Sequence, residues 1–400
     1  MPTPQDLATQ LSQERYALSS LLEFARTLSP DLGPRGIIRS VLRTVMGKSL
    51  IAEAFAYLGT ANGERYELIA RAGFANTDFP EVLDHDDFDL LIENKPESFT
   101  ALPLLTADGA GYLGLIGLGK SINPRLSVDS EATYLASLAA LTSIALTNAW
   151  LFEREKERER IESELRLARD IQQSLLPQQL PEMPGAQFAA ISKPSEWVGG
   201  DYYDVIQLDE NRVLLAVADV VGKGVTAALT MSNLQAALRA LAGLLRDGYF
   251  DIVGVVKELN RLICESTSPE RFITAAFGVL DVSSHHLESV VCGHPNPIVV
   301  SPDYSVTYME STGIPLGIIS DFNYESRKYT LAPGSLLVFF TDGLSEAVHA
   351  GNMLGEKGTA KLIENAARSG LSLDEALKQM VGANNISIED DVTVLAVRLS

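Results

Sequence analysis

The chain has 400 residues, 46% hydrophobic and 21% charged, an ordinary globular balance with room for more than one domain core. Its 32 Lys and Arg against 52 Asp and Glu leave a net charge of −20, which repels nucleic acid and anionic membrane surfaces and favours cationic partners. Cys264 and Cys292 give no disulfide framework and no CxxC pair, apolar runs such as Leu336 to Phe340 are short, and MPTPQDLATQ has no signal-peptide pattern, so a cytoplasmic protein without membrane contact is expected.

Leu7, Leu11, Leu18, Leu21, Ala25 and Leu28 recur at helical spacing and predict an opening amphipathic helix whose exposed stripe could pair with a second subunit. Strand-like runs follow at residues 52–59, 65–72, 99–106 and 111–118, with Asn62-Gly63 and Asp108-Gly109 as hairpin turns, predicting an antiparallel sheet. From Asp129 the pattern is helical, with Leu135, Leu138, Thr142, Ala145, Ala149 and Phe152 on one face. That helix continues through the fully charged run 153–160, where opposite charges at i,i+3 describe a solvated face or the flank of a coiled coil. Ile161, Leu165, Ala168 and Leu175 then restore an apolar stripe, interrupted by Gln172, which points to a parallel helix pair through residues 130–176. Pro177, Pro181 and Pro184 with Gly185 end the helix at a domain boundary. The expected division is 1–150, a helical linker at 151–180, and 181–400.

Beyond the boundary, residues 187–220, 272–309, 335–340 and 391–398 read mainly as strands. Ala227, Met231, Leu234, Leu238, Leu241 and Leu245 predict a long helix starting just after Gly224, with further helices at 250–266, 357–369 and 373–381. Strands joined by short turns favour an antiparallel sandwich flanked by helices, hence an α+β fold, over a doubly wound sheet.

Acids stand at the ends of these strands: Asp201 in VGGDYYD, Asp219 closing RVLLAVAD, Asp342 closing SLLVFFTDG, and Asp390 with Asp391 ahead of VTVLAVRL. A carboxylate at the end of a buried strand is costly to desolvate unless it is paired or bound to a cation. Several converging would make a hard-metal site for Mg2+ or Mn2+, and two ions roughly 3.5 to 4 Å apart can activate water for attack on phosphorus. Singly, each acid also fits a bland role, a turn at Asp342-Gly343 or a helix cap at Asp219.

Other chemistries fit less well. In ADVVGKGVTAAL the Gly-Lys-Gly step lacks the spacing and following hydroxyl of a nucleotide-binding P-loop. Cys264 precedes Arg271 at the wrong spacing for a cysteine phosphatase, Cys292 has no nearby arginine, and both read as core residues. His294 in CGHPNP is either structural or a proton donor to a leaving group, and His85, His285, His286 and His349 have no metal-ligand spacing.

LARDIQQSLLPQQLP, VGGDYYD, ADVVGKGVTAALTM, GHPNP, GIPLGI, TDGLSEA and EDDVTVL occur in the order of bacterial PPM-type serine/threonine phosphatases of the RsbU and SpoIIE branch, which residues 165–400 resemble. Residues 1–150 resemble a GAF domain by element order. The resemblance implies an αββα sandwich with two Mn2+ or Mg2+ ions and direct water attack without a phosphoenzyme. It implies that Asp219 bridges the ions, with the Val220 carbonyl as a further ligand. Asp201 would hold one ion and Asp342 and Asp390 the other, with Asp391 behind them or substituting for Asp390. Val221 stands where many relatives carry Ser, and no histidine occupies the place of the proton donor found elsewhere in the superfamily. The implied substrate is a phosphoserine or phosphothreonine on a STAS-domain anti-anti-sigma protein in partner switching. The GAF domain would be the sensor and the linker the transmitter within a homodimer. The contrasting reading is a partner-binding module whose acids are retained only for structure.

Overall fold

The computed structural model describes residues 4–48, 50–60, 64–74, 79–93, 99–120, 128–195, 197–268, 270–349, 351–382 and 386–400. By its internal contacts the chain divides into Met1–Ile161 and Glu162–Ser400.

The first unit contains α1 (Pro4–Thr27), α2 (Gly33–Lys48), β1 (Ala54–Gly59), β2 (Arg65–Ala72), β3 (Val82–Asp84), α3 (His85–Glu93), β4 (Thr100–Leu105), β5 (Tyr112–Leu118) and the start of α4 (Val128–Leu175). Its antiparallel sheet has the order β3-β2-β1-β5-β4. The expected runs therefore pair as neighbours, and Asp108-Gly109 is a turn closed by Thr106 N donating to Gly111 O at 2.9 Å. Asn62-Gly63 lies outside the described residues. The sequence reading passed over α2, which opens on a turn-like Gly-Pro, and over β3 and α3, which are too short for a clear period. One sheet face packs Ala54, Leu104 and Ile116 against Phe24, Ile38, Val41 and Leu138 of the helices. The other is filled by aromatics, with Phe55 edge-on to Phe99 at 4.9 Å and Tyr66 stacked on Phe88 at 3.5 Å.

Part of α4 has a mean hydropathy of 1.5, which by length and composition alone suits a membrane span. Its Leu135, Leu138, Leu146 and Ala149 are instead buried in the core of the first unit, and the expected face ends there, since Phe152 is exposed.

The second unit runs through β6 (Ala186–Lys193), β7 (Tyr202–Gln207), β8 (Arg212–Val220), α5 (Val225–Arg246), α6 (Ile252–Ser266), β9 (Ile273–Asp281) and β10 (His286–Cys292). It continues with β11 (Ile298–Val300), β12 (Val306–Tyr308), β13 (Arg327–Thr330), β14 (Leu336–Phe340), α7 (Asp342–Ser345), β15 (Val348–His349) and β16 (Asn352–Met353). It ends with α8 (Gly355–Arg368), α9 (Leu373–Gly382), β17 (Ile386–Ser387) and β18 (Val392–Leu399).

Two antiparallel sheets, ordered β13-β10-β9-β8-β7 and β12-β11-β14-β18-β6, stack face to face, and β15 to β17 form a small separate sheet. The alternation along β8 explains the stacking. Val213, Leu215 and Val217 enter the core between the sheets with Leu280, Phe339 and Leu395. Leu214, Ala216 and Ala218 face the other way, onto Met231, Leu234 and Leu238 of α5 and Val256 and Leu259 of α6. A strand covered on both faces reads as one continuous apolar run, as RVLLAVA does. On the opposite side Val338, Val394 and Ala396 are covered by Ile363 of α8 and Leu377 and Met380 of α9. The layers are thus helix, sheet, sheet, helix, as expected.

From Glu162 onward α4 groups by its contacts with this second unit. Gln172, which breaks the apolar stripe in sequence, is buried and grips the backbone of Gly199: its Nε2 donates to the carbonyl at 2.5 Å and its Oε1 accepts from the N–H at 3.1 Å. Gln235 Nε2 also donates to Leu175 O at 3.3 Å. Leu167 and Ile171 are the apolar residues left exposed on this stretch.

Candidate metal centre

Four separate segments bring acids to one end of the sandwich. Asp219 lies near the end of β8, directly opposite Thr274 of β9. Asp201 immediately precedes β7, whose Tyr202 pairs with Ala218. Asp342 opens α7, one residue after β14 and Thr341, and Asp390 and Asp391 lead into β18.

Hydrogen bonds tie the segments together. Thr341 Oγ1 donates to Asp201 Oδ2 at 2.8 Å and accepts from Thr393 N at 2.8 Å, so one hydroxyl links the Asp201 loop to β14 and β18. Asp391 accepts from Ser195 N at 2.7 Å, Ser195 Oγ at 2.8 Å and Gly200 N at 2.8 Å. Both its oxygens are engaged, so Asp391 fastens the VGGD loop to the final strand. A Cβ on Gly200 would stand 2.8 Å from the Val220 carbonyl oxygen and 3.5 Å from Asp219 Oδ1, so this loop lies directly over the Asp219–Val220 step.

The electrostatics record the convergence. Burial and then the charges of Asp342, Asp390, Asp391 and Glu346 push the Asp219 carboxyl up to about 7. Burial and then Asp219 hold Asp201 well above the usual carboxylate range, although Thr393 and Thr341 hydrogen bonds pull it down. Asp342 is raised by burial, then by Glu346 and Asp390. Lys223 Nζ lies 3.0 Å from Asp390 Oδ1 and offsets part of this negative charge. Lys223 thus serves a carboxylate, which leaves the P-loop reading without support. Its neighbours Gly222 and Gly224 both have positive φ, 96° and 74°, which turns the chain sharply into α5.

Among the described residues no three His, Cys, Asp or Glu side chains already stand within reach of a single ion. The acids are electrostatically coupled without being closed on one another, as mutually repelling carboxylates are. The donor set fits hard divalent cations, being all oxygen, with the raised Asp219, Asp201 and Asp342 carboxyls marking charge that such cations would neutralise.

Glu346 is the member that sequence reasoning missed. It sits one helical turn beyond Asp342, with its N–H donating to Asp342 O at 2.7 Å, and i,i+4 spacing in TDGLSEA was the available signal. His294, weighed as a proton donor, is 5% exposed, and burial drops its pKa to about 3. Burial thus favours the neutral ring at physiological pH. Both cysteine thiols are raised by burial, Cys292 far up, so neither offers a thiolate.

Residues 209–400 match the family model described as Stage II sporulation protein E (SpoIIE). The chain is 30% identical over 243 residues to phosphoserine phosphatase RsbU of Bacillus subtilis (strain 168), spanning 60% of this chain and 70% of that protein. It is 26% identical over 187 residues to phosphoserine phosphatase RsbP of the same organism, spanning 46% of this chain and 45% of that protein. The fold matches the SiaA-PP2C domain of Pseudomonas aeruginosa with a TM-score of 0.52 and 23% identity, over 61% of this chain and 99% of that one. With the site's acids carried on that sandwich and RsbU matched over most of its length, the chain belongs to the RsbU and SpoIIE family of PPM-type phosphoserine phosphatases.

Proposed function

We propose that the chain is a divalent-cation-dependent phosphatase for phosphoserine or phosphothreonine on a protein, its centre built from Asp201, Asp219, the Val220 carbonyl, Asp342 and Asp390. The observation that carries this is the shared electrostatic pocket in which Asp219 feels Asp342, Asp390 and Asp391 from separate segments. Asp201, Asp219, Asp342 and Asp390 would hold the ions, with Asp219, which feels the charges of the other acids, as the ligand they would share. Asp391 holds the Asp201 loop through Gly200 N and Ser195. Mn2+ or Mg2+ bound there would polarise the phosphoryl group and lower the pKa of water that attacks phosphorus. Burial raises both thiols, so a cysteinyl-phosphate route is disfavoured and direct attack by water is the proposed course.

The substrate is proposed to be a phosphorylated STAS-domain protein in partner switching, a reading supported by the ordered motifs alone. Residues 1–150 are proposed to be a GAF-type regulatory domain, supported by the antiparallel sheet with helices packed on one face. Residues 151–180 are the proposed transmitter, residues 181–400 the catalytic domain, and the cytoplasm the site of action. Leu11, Leu18 and Leu22 of α1 and Ile144, Leu151 and Phe152 of α4 are exposed apolar side chains that support a homodimer through these helices. Light scattering at micromolar concentration is expected to give twice the chain mass; a monomer mass rejects the pairing.

The catalytic proposal is tested by phosphate release from a phosphoserine protein by the full chain as Mn2+ is titrated after chelation. Release should rise from background and saturate. Turnover that persists undiminished in chelator rejects the metal centre.

A further inference from the structure

The metal acids leave two sequence motifs without a role, GHPNP and GIPLGI, and the structure places them together. Gly293 N donates to Gly313 O at 2.9 Å, and Ile273, at the start of β9, exchanges hydrogen bonds with Leu316 at 2.9 and 2.8 Å. Between them His294 points inward, with Nδ1 2.8 Å from Thr274 Oγ1. Thr274 is the residue directly opposite Asp219 in the β8–β9 pair. Opposed residues of an antiparallel pair put their side chains on the same face, Cβ atoms about 5 Å apart.

The other ring nitrogen, Nε2, is buried and makes no hydrogen bond, as does Asn296 Oδ1 in the same loop. Burial opposes charge on the ring, and the backbone of Phe340, from the other sheet, favours it. Phe340 ends β14 in the second sheet, two residues before Asp342. The imidazole therefore stands between the Asp219 strand pair of one sheet and the strand that delivers Asp342 from the other. A buried polar ring in a core position is retained at a desolvation cost that Leu or Phe would avoid.

We propose that His294 is a positioning residue for the metal centre: it takes the Thr274 hydroxyl on Nδ1, directs Nε2–H toward the end of β14, and so sets the separation of Asp219 from Asp342. This rests on the metal reading above. Ligands that must close on ions without collapsing on one another need such a spacer, since their own repulsion spreads them.

The test is calorimetric titration of Mn2+ into the full chain and its variants, with thermal melting as a check on folding. His294→Leu should weaken Mn2+ binding about 10- to 100-fold, the range for loss of an outer partner of metal ligands. Thr274→Val, which removes one hydroxyl in a β-branched frame, should do the same, and Thr274→Ser should bind as the parent does. His294→Gln, which keeps a polar end, should recover most of the affinity, and Thr274→Val combined with His294→Leu should be no worse than His294→Leu alone. The pH profile of turnover should keep its shape in His294→Gln. Parent-like Mn2+ affinity in both His294→Leu and Thr274→Val overturns the inference, as does loss of one limb of the pH profile in His294→Gln, which would make His294 a proton carrier. If His294→Leu does not fold, Thr274→Val decides alone. A parent chain that binds no Mn2+ overturns the metal reading itself, a result distinct from parent-like variants of a chain that does bind.

Discussion

Asp219→Asn is expected to reduce metal-dependent phosphate release by about 10^3-fold or more, the rate equivalent of the several kcal/mol a bound metal contributes to a phosphoryl transition state. The same change should make the cation-free protein more stable near neutral pH. The folded-state carboxyl titrates at about 7 against an ordinary 3.8, so the fold prefers its neutral form. Below about pH 4 the acid is neutral in both states and carries no penalty. As pH climbs from there toward about 7 the unfolded chain ionises first, and stability falls by a few kcal/mol before levelling off. Urea midpoints of the metal-free parent should therefore drop across that window, and those of Asp219→Asn should drop less. Mn2+ should raise the midpoint of the parent and leave the variant nearly unmoved, because a ligand stabilises only the state that binds it. A parent-like rate in Asp219→Asn would remove Asp219 from the centre. A midpoint that rises with pH in the metal-free parent would contradict the crowding of acids around it.

Gly343→Ala is expected to damage both fold and activity. A Cβ at this position would stand 1.9 Å from the Asp391 carbonyl oxygen, so the turn carrying Asp342 lies against the strand entry carrying Asp390 and Asp391 with no space for a methyl group. Relief requires the two segments to part, and that moves Asp342 away from Asp390. Overpacking of this kind costs on the order of 3 kcal/mol. Denaturant titration should show that loss, with turnover reduced even at temperatures where the variant is folded. Unchanged stability and turnover would mean the two segments are not held in this register.

Periodicity was enough for most of the fold. Both faces of β8 and β18 are buried, and such strands announce themselves as unbroken apolar runs. The long helix α5 shows its spacing because a single face carries Met231, Leu234 and Leu238. Elements whose stability comes from neighbours rather than pattern, such as β3 and α3, were not legible, because three strand residues or two helical turns carry too little period.

The acids were legible as types at strand ends, and their ordered motifs named the family. Their division of labour was not. Asp390 and Asp391 are adjacent and chemically identical, and only the tertiary structure engages both oxygens of Asp391 with Ser195 and Gly200 while leaving Asp390 beside Lys223. Gln172 looked like a flaw in a coiled-coil stripe, because a sequence shows that a polar residue interrupts an apolar face but not which backbone it meets. His294 likewise reads in sequence as either a proton donor or a structural residue, and only the tertiary structure shows it buried against Thr274. By itself the sequence determined the αββα fold and the phosphatase family and singled out the acids at the strand ends, though not Glu346, since these follow from local pattern and motif order. The tertiary structure decided which acid is exposed to charge, which is tied down and which ring is buried, because desolvation and hydrogen-bond partners are set by segments far apart in the chain.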